Sequence, residues 1–354
     1  MLTIDLDAIV ANWRLLAAKH RHGQTAAVVK ADAYGLGADK VAPALRAAGC
    51  RRFVVATPEE GLALRPLLGE AEIMVLSGPF PGSESLFVEH DLIPVLNSME
   101  QVAAWHTECL VRSRRLPAIL HVDTGMSRLG LSLAEAESLR GQTSFALTLV
   151  MSHLACSDEP DHEMNALQAE RFARIRALFP GVEGSLAASS GIFLGEDYRH
   201  DWTRPGLALY GGNPVPHKPN PMQPVVTLQG RIVQTRRVDA GDTVGYGASY
   251  RCSGEERLAV VSVGYADGLF RSLFTRGCGH FEGVSVPLVG RVSMDLMIFD
   301  CAKAPAAKPG GLLQLIGPGN DLDAVAQAAG TIPYEILTAL GRRYHRTYIG
   351  GAAQ

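Results

Sequence analysis

The chain has 354 residues, 47% of them hydrophobic, and a formal net charge of -3. That length accommodates one large domain and a smaller one. The near-neutral charge gives no electrostatic case for nucleic acid or an anionic membrane, and no apolar run approaches the thickness of a bilayer.

The N-terminus, Met1-Leu2-Thr3-Ile4-Asp5-Leu6-Asp7, lacks a basic start and an apolar core, so it does not read as a secretory signal. Its first strand, Leu2–Leu6, precedes a helix and is free to pair outside the domain that follows. Eight buried-strand runs come next: 26–30, 52–57, 73–78, 92–97, 118–123, 147–153, 184–190 and 198–204. Helix-like segments lie between them at 38–48, 58–68, 99–110, 133–140 and 164–179. Thr57-Pro58-Glu59-Glu60 is a helix start, with a capping residue, proline at the first helical position and acids in the first turn. Eightfold strand–helix alternation predicts an α/β fold, a (β/α)8 TIM-type barrel. Polar residues stand at the strand ends: Lys30, Thr57, Ser77, Asn97, Asp123, His153, Ser189, Ser190 and Arg204. Strand C-termini form the catalytic mouth of such a barrel. Serines and threonines mark strand ends in any α/β protein; a lysine, a histidine and an arginine do so less readily.

The proline-dense stretch 214–224 cannot continue a helix or a central strand. Beyond it, strands are expected over 225–238, 257–264, 284–300 and 312–316, with helices near 322–329 and 333–340. The expected division is therefore 1–223 as the barrel and 224–354 as a mostly β C-terminal domain. The six cysteines are scattered without metal or redox spacing, which predicts reduced thiols, a cytoplasmic protein and no metal.

Lys30 ends the run Ala26-Ala27-Val28-Val29 and is followed by a glycine-punctuated turn. An ammonium at the end of a buried strand is costly, and lysines held this way become Schiff-base or general-base groups. The segment Val28-Val29-Lys30-Ala31-Asp32-Ala33-Tyr34-Gly35-Leu36-Gly37 resembles the cofactor-lysine segment of the alanine racemase family, the fold-type III pyridoxal-phosphate enzymes; Leu36 stands where that family usually has histidine. Five further blocks resemble it in order. They are Asp123-Thr124-Gly125-Met126-Ser127-Arg128-Leu129-Gly130, Arg204-Pro205-Gly206-Leu207-Ala208-Leu209-Tyr210-Gly211, Val244-Gly245-Tyr246-Gly247, Val263-Gly264-Tyr265-Ala266-Asp267-Gly268 and Val289-Gly290-Arg291-Val292-Ser293-Met294-Asp295.

The resemblance implies pyridoxal 5'-phosphate as cofactor, held by Lys30. Tyr34, Ser190, Gly206 and Leu207 would hold its phosphate, near a helical turn that Pro205 can start. Arg204 would face the pyridine nitrogen; a guanidinium keeps its proton at physiological pH and so leaves that nitrogen unprotonated. His153 would orient Arg204. Lys30 and Tyr246 would be the two catalytic acid/base groups, with Arg128, Tyr265 and Met294 on the substrate. A phenol is a weak base at neutral pH, and a nearby Arg128 would favour its ionised form. The family often carries a carbamylated lysine two residues before the aspartate, paired with the arginine. His121 stands there and cannot form a carbamate, so another group must orient Arg128. A family tyrosine near the C-terminus is replaced by Arg342, which could serve the phosphate equally well.

The activity implied is alanine racemisation in a homodimer with shared sites; the alternative in the same class is an amino-acid racemase of broader specificity. A pyridoxal-phosphate homeostasis protein would normally lack the β domain. A fold-type III decarboxylase would not need the ordered tyrosine and methionine blocks, and a cofactor-free aldolase would not need Arg204 beside a phosphate cradle.

Overall fold

The computed structural model describes residues 1–351. Its first layer is a nine-stranded, all-parallel sheet of Gln24–Thr25, Ala27–Val28, Arg52–Val55, Glu72–Val75, Leu92–Leu96, Pro117–His121, Ala146–Met151, Glu183–Ser185 and Trp202–Thr203. Gln24–Thr25 pairs with Trp202–Thr203, and Ala27–Val28 pairs with Arg52–Val55. Between them the Ala26 amide donates to the Thr203 carbonyl at 2.9 Å. The two short strands are thus halves of one stave, and they close the sheet into a TIM-type barrel. Phe53, Val55, Ile73, Val95, Ile119 and Leu149 are fully buried, as strands covered on both faces require.

Every expected barrel strand is present, but each ends one to five residues earlier than the apolar pattern does. The polar residues at those ends lie just beyond the strands, and the Ser77 and Arg204 amides still donate across to the Ala56 and Ala187 carbonyls at 2.9 Å. The helix Pro58–Leu68 has the expected bounds, with proline at its first position, although Thr57 makes no side-chain cap bond. A six-residue helix, Glu84–Glu89, lies in the connection after Glu72–Val75 and was too short to show a period.

Lys30 is not a strand residue. It opens the helical turn Lys30–Gly35, in which Ala31, Asp32, Ala33 and Tyr34 have φ of 52°, 56°, 53° and 56°. Four successive non-glycine residues make one left-handed turn, at a cost of about 1–2 kcal/mol per residue. Local hydrogen bonds and tertiary ring packing hold it. Asp32 Oδ1 accepts the Ala38 amide at 2.8 Å, and the Ala33 amide donates to the Val29 carbonyl at 2.9 Å. Tyr34 packs its ring 4.8 Å from Tyr210 and 5.9 Å from Tyr334.

The second layer is a mixed sheet around the long strand Val226–Val238, which pairs antiparallel with Leu2–Asp5, Glu256–Ser262 and Leu312–Ile316. Leu2–Asp5 therefore lies in this sheet, also pairing in parallel with Arg346–Ile349. The run expected over 284–300 is two strands, Val284–Pro287 and Met297–Asp300, because the segment between them turns at Gly290 (φ 69°) and carries Ser293 and Met294 on a loop. Cys278–Phe281 and Arg346–Ile349 are further strands, short and interrupted by glycine or polar residues. The helix Pro333–Ala339 packs on the Lys30 turn, while Arg346 Nη1 donates to the Gly35 carbonyl at 2.6 Å and the Tyr348 hydroxyl to the Leu36 carbonyl at 2.9 Å. The strained turn is thereby braced from the β domain as well as from the barrel.

Candidate active site

Lys30 stands at the barrel mouth. Burial lowers its pKa, the Arg128 charge lowers it further, and Glu60 opposes both. Its amine is therefore available as a base at lower pH than an ordinary lysine.

Across the mouth, the strands Glu183–Ser185 and Trp202–Thr203 run into two 3-10 turns, Ser190–Phe193 and Leu207–Tyr210. Ser189, buried, accepts the Gly206 amide at 3.0 Å and the Ala208 amide at 3.2 Å. The Gly206 amide is thus taken by Ser189, leaving the Leu207 amide and the Tyr34 hydroxyl beside Gly206, while Ser190 opens the neighbouring turn. A Cβ at Gly206 would collide with the Tyr34 hydroxyl, so only glycine permits this approach. These donors and their place after the last strands suit a phosphate.

Arg204 is buried without a carboxylate partner among the described residues. Its Nη1 donates to Ser185 Oγ, and its Nη2 to the Ser152 carbonyl at 2.6 Å. Burial lowers its pKa to about 10, which leaves it charged at neutral pH. A buried guanidinium held only by neutral acceptors, with donor capacity to spare, suits an unprotonated ring nitrogen. These residues fit pyridoxal phosphate.

His153 is not what orients Arg204. No hydrogen bond joins them; Ser185 and the Ser152 carbonyl do that work. Burial and the Arg204 charge instead push the His153 pKa down to about 3, so it is a neutral wall of the site. His121 is neutral for the same reasons, at about 4. Asn97 Nδ2 donates to the Leu76 and Val95 carbonyls, so its Oδ1 is the acceptor for His121 Nδ1–H at 2.8 Å. Asp123 accepts the amides of Gly125, Met126 and Ser127 at 2.8–3.0 Å and so shapes the loop that presents Arg128. Arg128 itself is exposed and meets no acid within ion-pair distance among the described residues.

These histidines make stability pH-dependent. Below about 6.5 the unfolded chain takes up a proton that folded His121 refuses until about 4. The unfolded state then binds more protons, so stability falls as the pH drops through that window. Thermal melts between pH 7 and 4 should show a declining Tm, and His121→Gln should flatten part of the decline.

Tyr246, Tyr265 and Met294 form a second cluster, on the β domain. Tyr246 opens the turn Tyr246–Ala248 between two left-handed glycines, Gly245 and Gly247. With Tyr265, Arg271 and Val292 it lines a surface pocket. The Tyr265 amide donates to the Ser293 carbonyl and the Ala266 amide to the Met294 carbonyl, both at 3.0 Å, so the loops bearing Tyr265 and Met294 are tied together. All three side chains are exposed, Tyr246 to 69%. No hydrogen bond or ring contact joins this cluster to Lys30, Arg128 or Arg204 within the chain. Arg342 is exposed, whereas its neighbour Arg343 pairs with Asp295 at 2.8 Å and Asp267 at 3.3 Å. A larger cavity of about 530 Å³, lined by Leu269, Leu273, Cys278 and Val325, shares no residue with either cluster.

A lysine with lowered pKa, donors gathered at Gly206 and a buried arginine free of carboxylates suit a pyridoxal-phosphate enzyme of the barrel-plus-β-domain type. Family models described as alanine racemase N-terminal domain and alanine racemase C-terminal domain match residues 4–214 and 225–348. The chain is 52% identical to an alanine racemase of Rhodospirillum rubrum, over 99% of this chain and 96% of that one. It is 50% identical to an alanine racemase of Rhizobium meliloti, over 99% and 97%. The crystal structure of alanine racemase from Bartonella henselae with covalently bound pyridoxal phosphate matches with a TM-score of 0.94 at 43% identity, covering 99% of each chain. The chain belongs to the alanine racemase family.

Proposed function

We propose that this chain interconverts L- and D-alanine, with Lys30 and Tyr246 acting on opposite faces of the substrate. The observation that supports this reading is that one barrel carries a lysine with lowered pKa, a close glycine–tyrosine approach at Gly206 and a buried arginine free of carboxylates. Bound there, pyridoxal phosphate supplies a carbonyl that captures the substrate amine and a conjugated ring that accepts the electron pair left by the α-proton. The protein supplies the rest. One of Lys30 Nζ and Tyr246 Oη removes the α-proton and the other returns one to the opposite face, which inverts the centre. Each such positioned group contributes about 10²–10⁴ in rate. Arg204 keeps a proton off the ring nitrogen and so limits the ring's electron demand. Arg128 favours the ionised phenol, Tyr34, Ser190 and Leu207 hold the phosphate, and Tyr265 with Met294 limits the side chain that fits.

Tyr246 is exposed on one domain and has no contact with Lys30 on the other. This supports a homodimer in which each site takes its tyrosine from the partner. Six unpaired cysteines among the described residues support a reducing, cytoplasmic setting. Among the described residues, no helix is long and apolar enough to cross a membrane.

A chiral assay of the purified holoenzyme against a panel of L- and D-amino acids tests the reading. Alanine should be racemised fastest, in both directions. Equal rates on bulky side chains would favour the broader-specificity alternative, and carbon dioxide release without racemisation would overturn both.

A further inference from the structure

The segment Thr57-Pro58-Glu59-Glu60 has the spacing of a capping box, in which the glutamate at the third helical position turns back to the amide of the capping residue. The structure departs from that local use. Thr57 makes no side-chain cap bond to the helix. The Glu60 carboxylate instead spans two other elements. Its Oε2 accepts the Ala56 amide at 2.7 Å, at the end of the strand Arg52–Val55. Its Oε1 accepts the Ala31 amide at 2.6 Å. Ala31 follows Lys30 directly and is the first residue of the left-handed turn.

A carboxylate accepting two amide protons makes charge-assisted bonds, stronger than neutral ones. Here they join the strained residue beside Lys30 to the neighbouring barrel strand. Bonds to Asp32 and Val29 close the later part of that turn, but the Ala31 amide depends on Glu60 alone. Two charged groups act on Lys30: Arg128, which is exposed, and Glu60, which is held by the Ala31 and Ala56 amides.

We infer that Glu60 is a positioning residue for the racemisation: its carboxylate clamps the Ala31 amide to the end of the adjacent strand, and so fixes the direction from which Lys30 reaches the substrate. The inference rests on the proposed role of Lys30. Because Glu60 also places a fixed negative charge beside the Lys30 amine, its loss should act on the proton affinity of that amine as well as on its placement.

Glu60→Gln keeps the side chain's size but loses the charge and can accept only one of the two amide protons. In the holoenzyme, hydrogen exchange at the Ala31 and Ala56 amides should accelerate. The kcat should fall about tenfold to a hundredfold, the scale of a small misplacement of a reacting group, with KM for alanine little changed. The rise of kcat/KM with pH should move to lower pH, which loss of local packing alone would not cause. Glu60→Asp keeps the charge on a shorter arm. It should also speed Ala31 exchange but leave that pH midpoint close to the native one. Native exchange at Ala31 in Glu60→Gln, with native kcat and midpoint, overturns the inference. Since exchange is read without turnover, that result is distinct from a failure of the racemase reading, which would appear as an inactive wild-type enzyme.

Discussion

Replacing Lys30 with alanine should reduce racemisation by about 10⁴-fold or more in both directions, because one side chain both tethers the cofactor and serves as an acid/base. Borohydride should no longer fix pyridoxal phosphate to the protein. The fold should survive. Lys30 is only partly buried, and the contacts that brace its turn are made by Asp32, Tyr34, Arg346 and Tyr348 rather than by its ammonium. The cradle around Gly206 and the Arg204 guanidinium are also untouched, so the cofactor should still bind, more weakly. Adding a small primary amine should restore part of the rate, since the substitution leaves room for an external base. A chiral assay with and without methylamine checks this. Native rates in Lys30→Ala would remove the lysine from the chemistry.

The barrel was legible because parallel strands buried on both faces leave near-continuous apolar runs, and because glycine and proline punctuate the segments between them. Pro58–Leu68 shows how far local signals reach: its start follows from proline at the first helical position. The Lys30 turn shows where they stop. Nothing in Ala31-Asp32-Ala33-Tyr34 asks for positive φ, and the left-handed turn is held in part by tertiary contacts with Glu60, Tyr210, Tyr334 and the C-terminal strand. The same limit hid the partners of Arg204. A strand-end histidine was an obvious candidate, but a serine hydroxyl and a main-chain carbonyl hold the guanidinium, and carbonyls carry no sequence signature. The run over 284–300 read as one strand because Val284–Pro287 and Met297–Asp300 are both apolar, and the loop that bears Met294 is itself rich in valine and methionine.

Tyr246→Phe should retain the cofactor and lose racemisation, while one enantiomer continues to exchange its α-hydrogen with solvent. The reason lies in the two-sided chemistry. With the phenol gone, Lys30 can still remove and return a proton on its own face, but nothing delivers one to the other. Proton NMR in deuterated buffer would show the signal of one alanine enantiomer decaying and the other persisting; equal exchange from both would sink the assignment of opposite faces. The same variant tests where the tyrosine comes from. If each site combines Lys30 of one protomer with the tyrosine of its partner, a heterodimer of Lys30→Ala and Tyr246→Phe chains holds one doubly defective site and one intact site. Random subunit exchange makes about half the dimers mixed, so about a quarter of all sites should recover. If instead the two groups met within one chain, every site would carry one lesion and mixing would restore nothing. The exposed Tyr246, tied to no residue of the barrel mouth, argues for recovery.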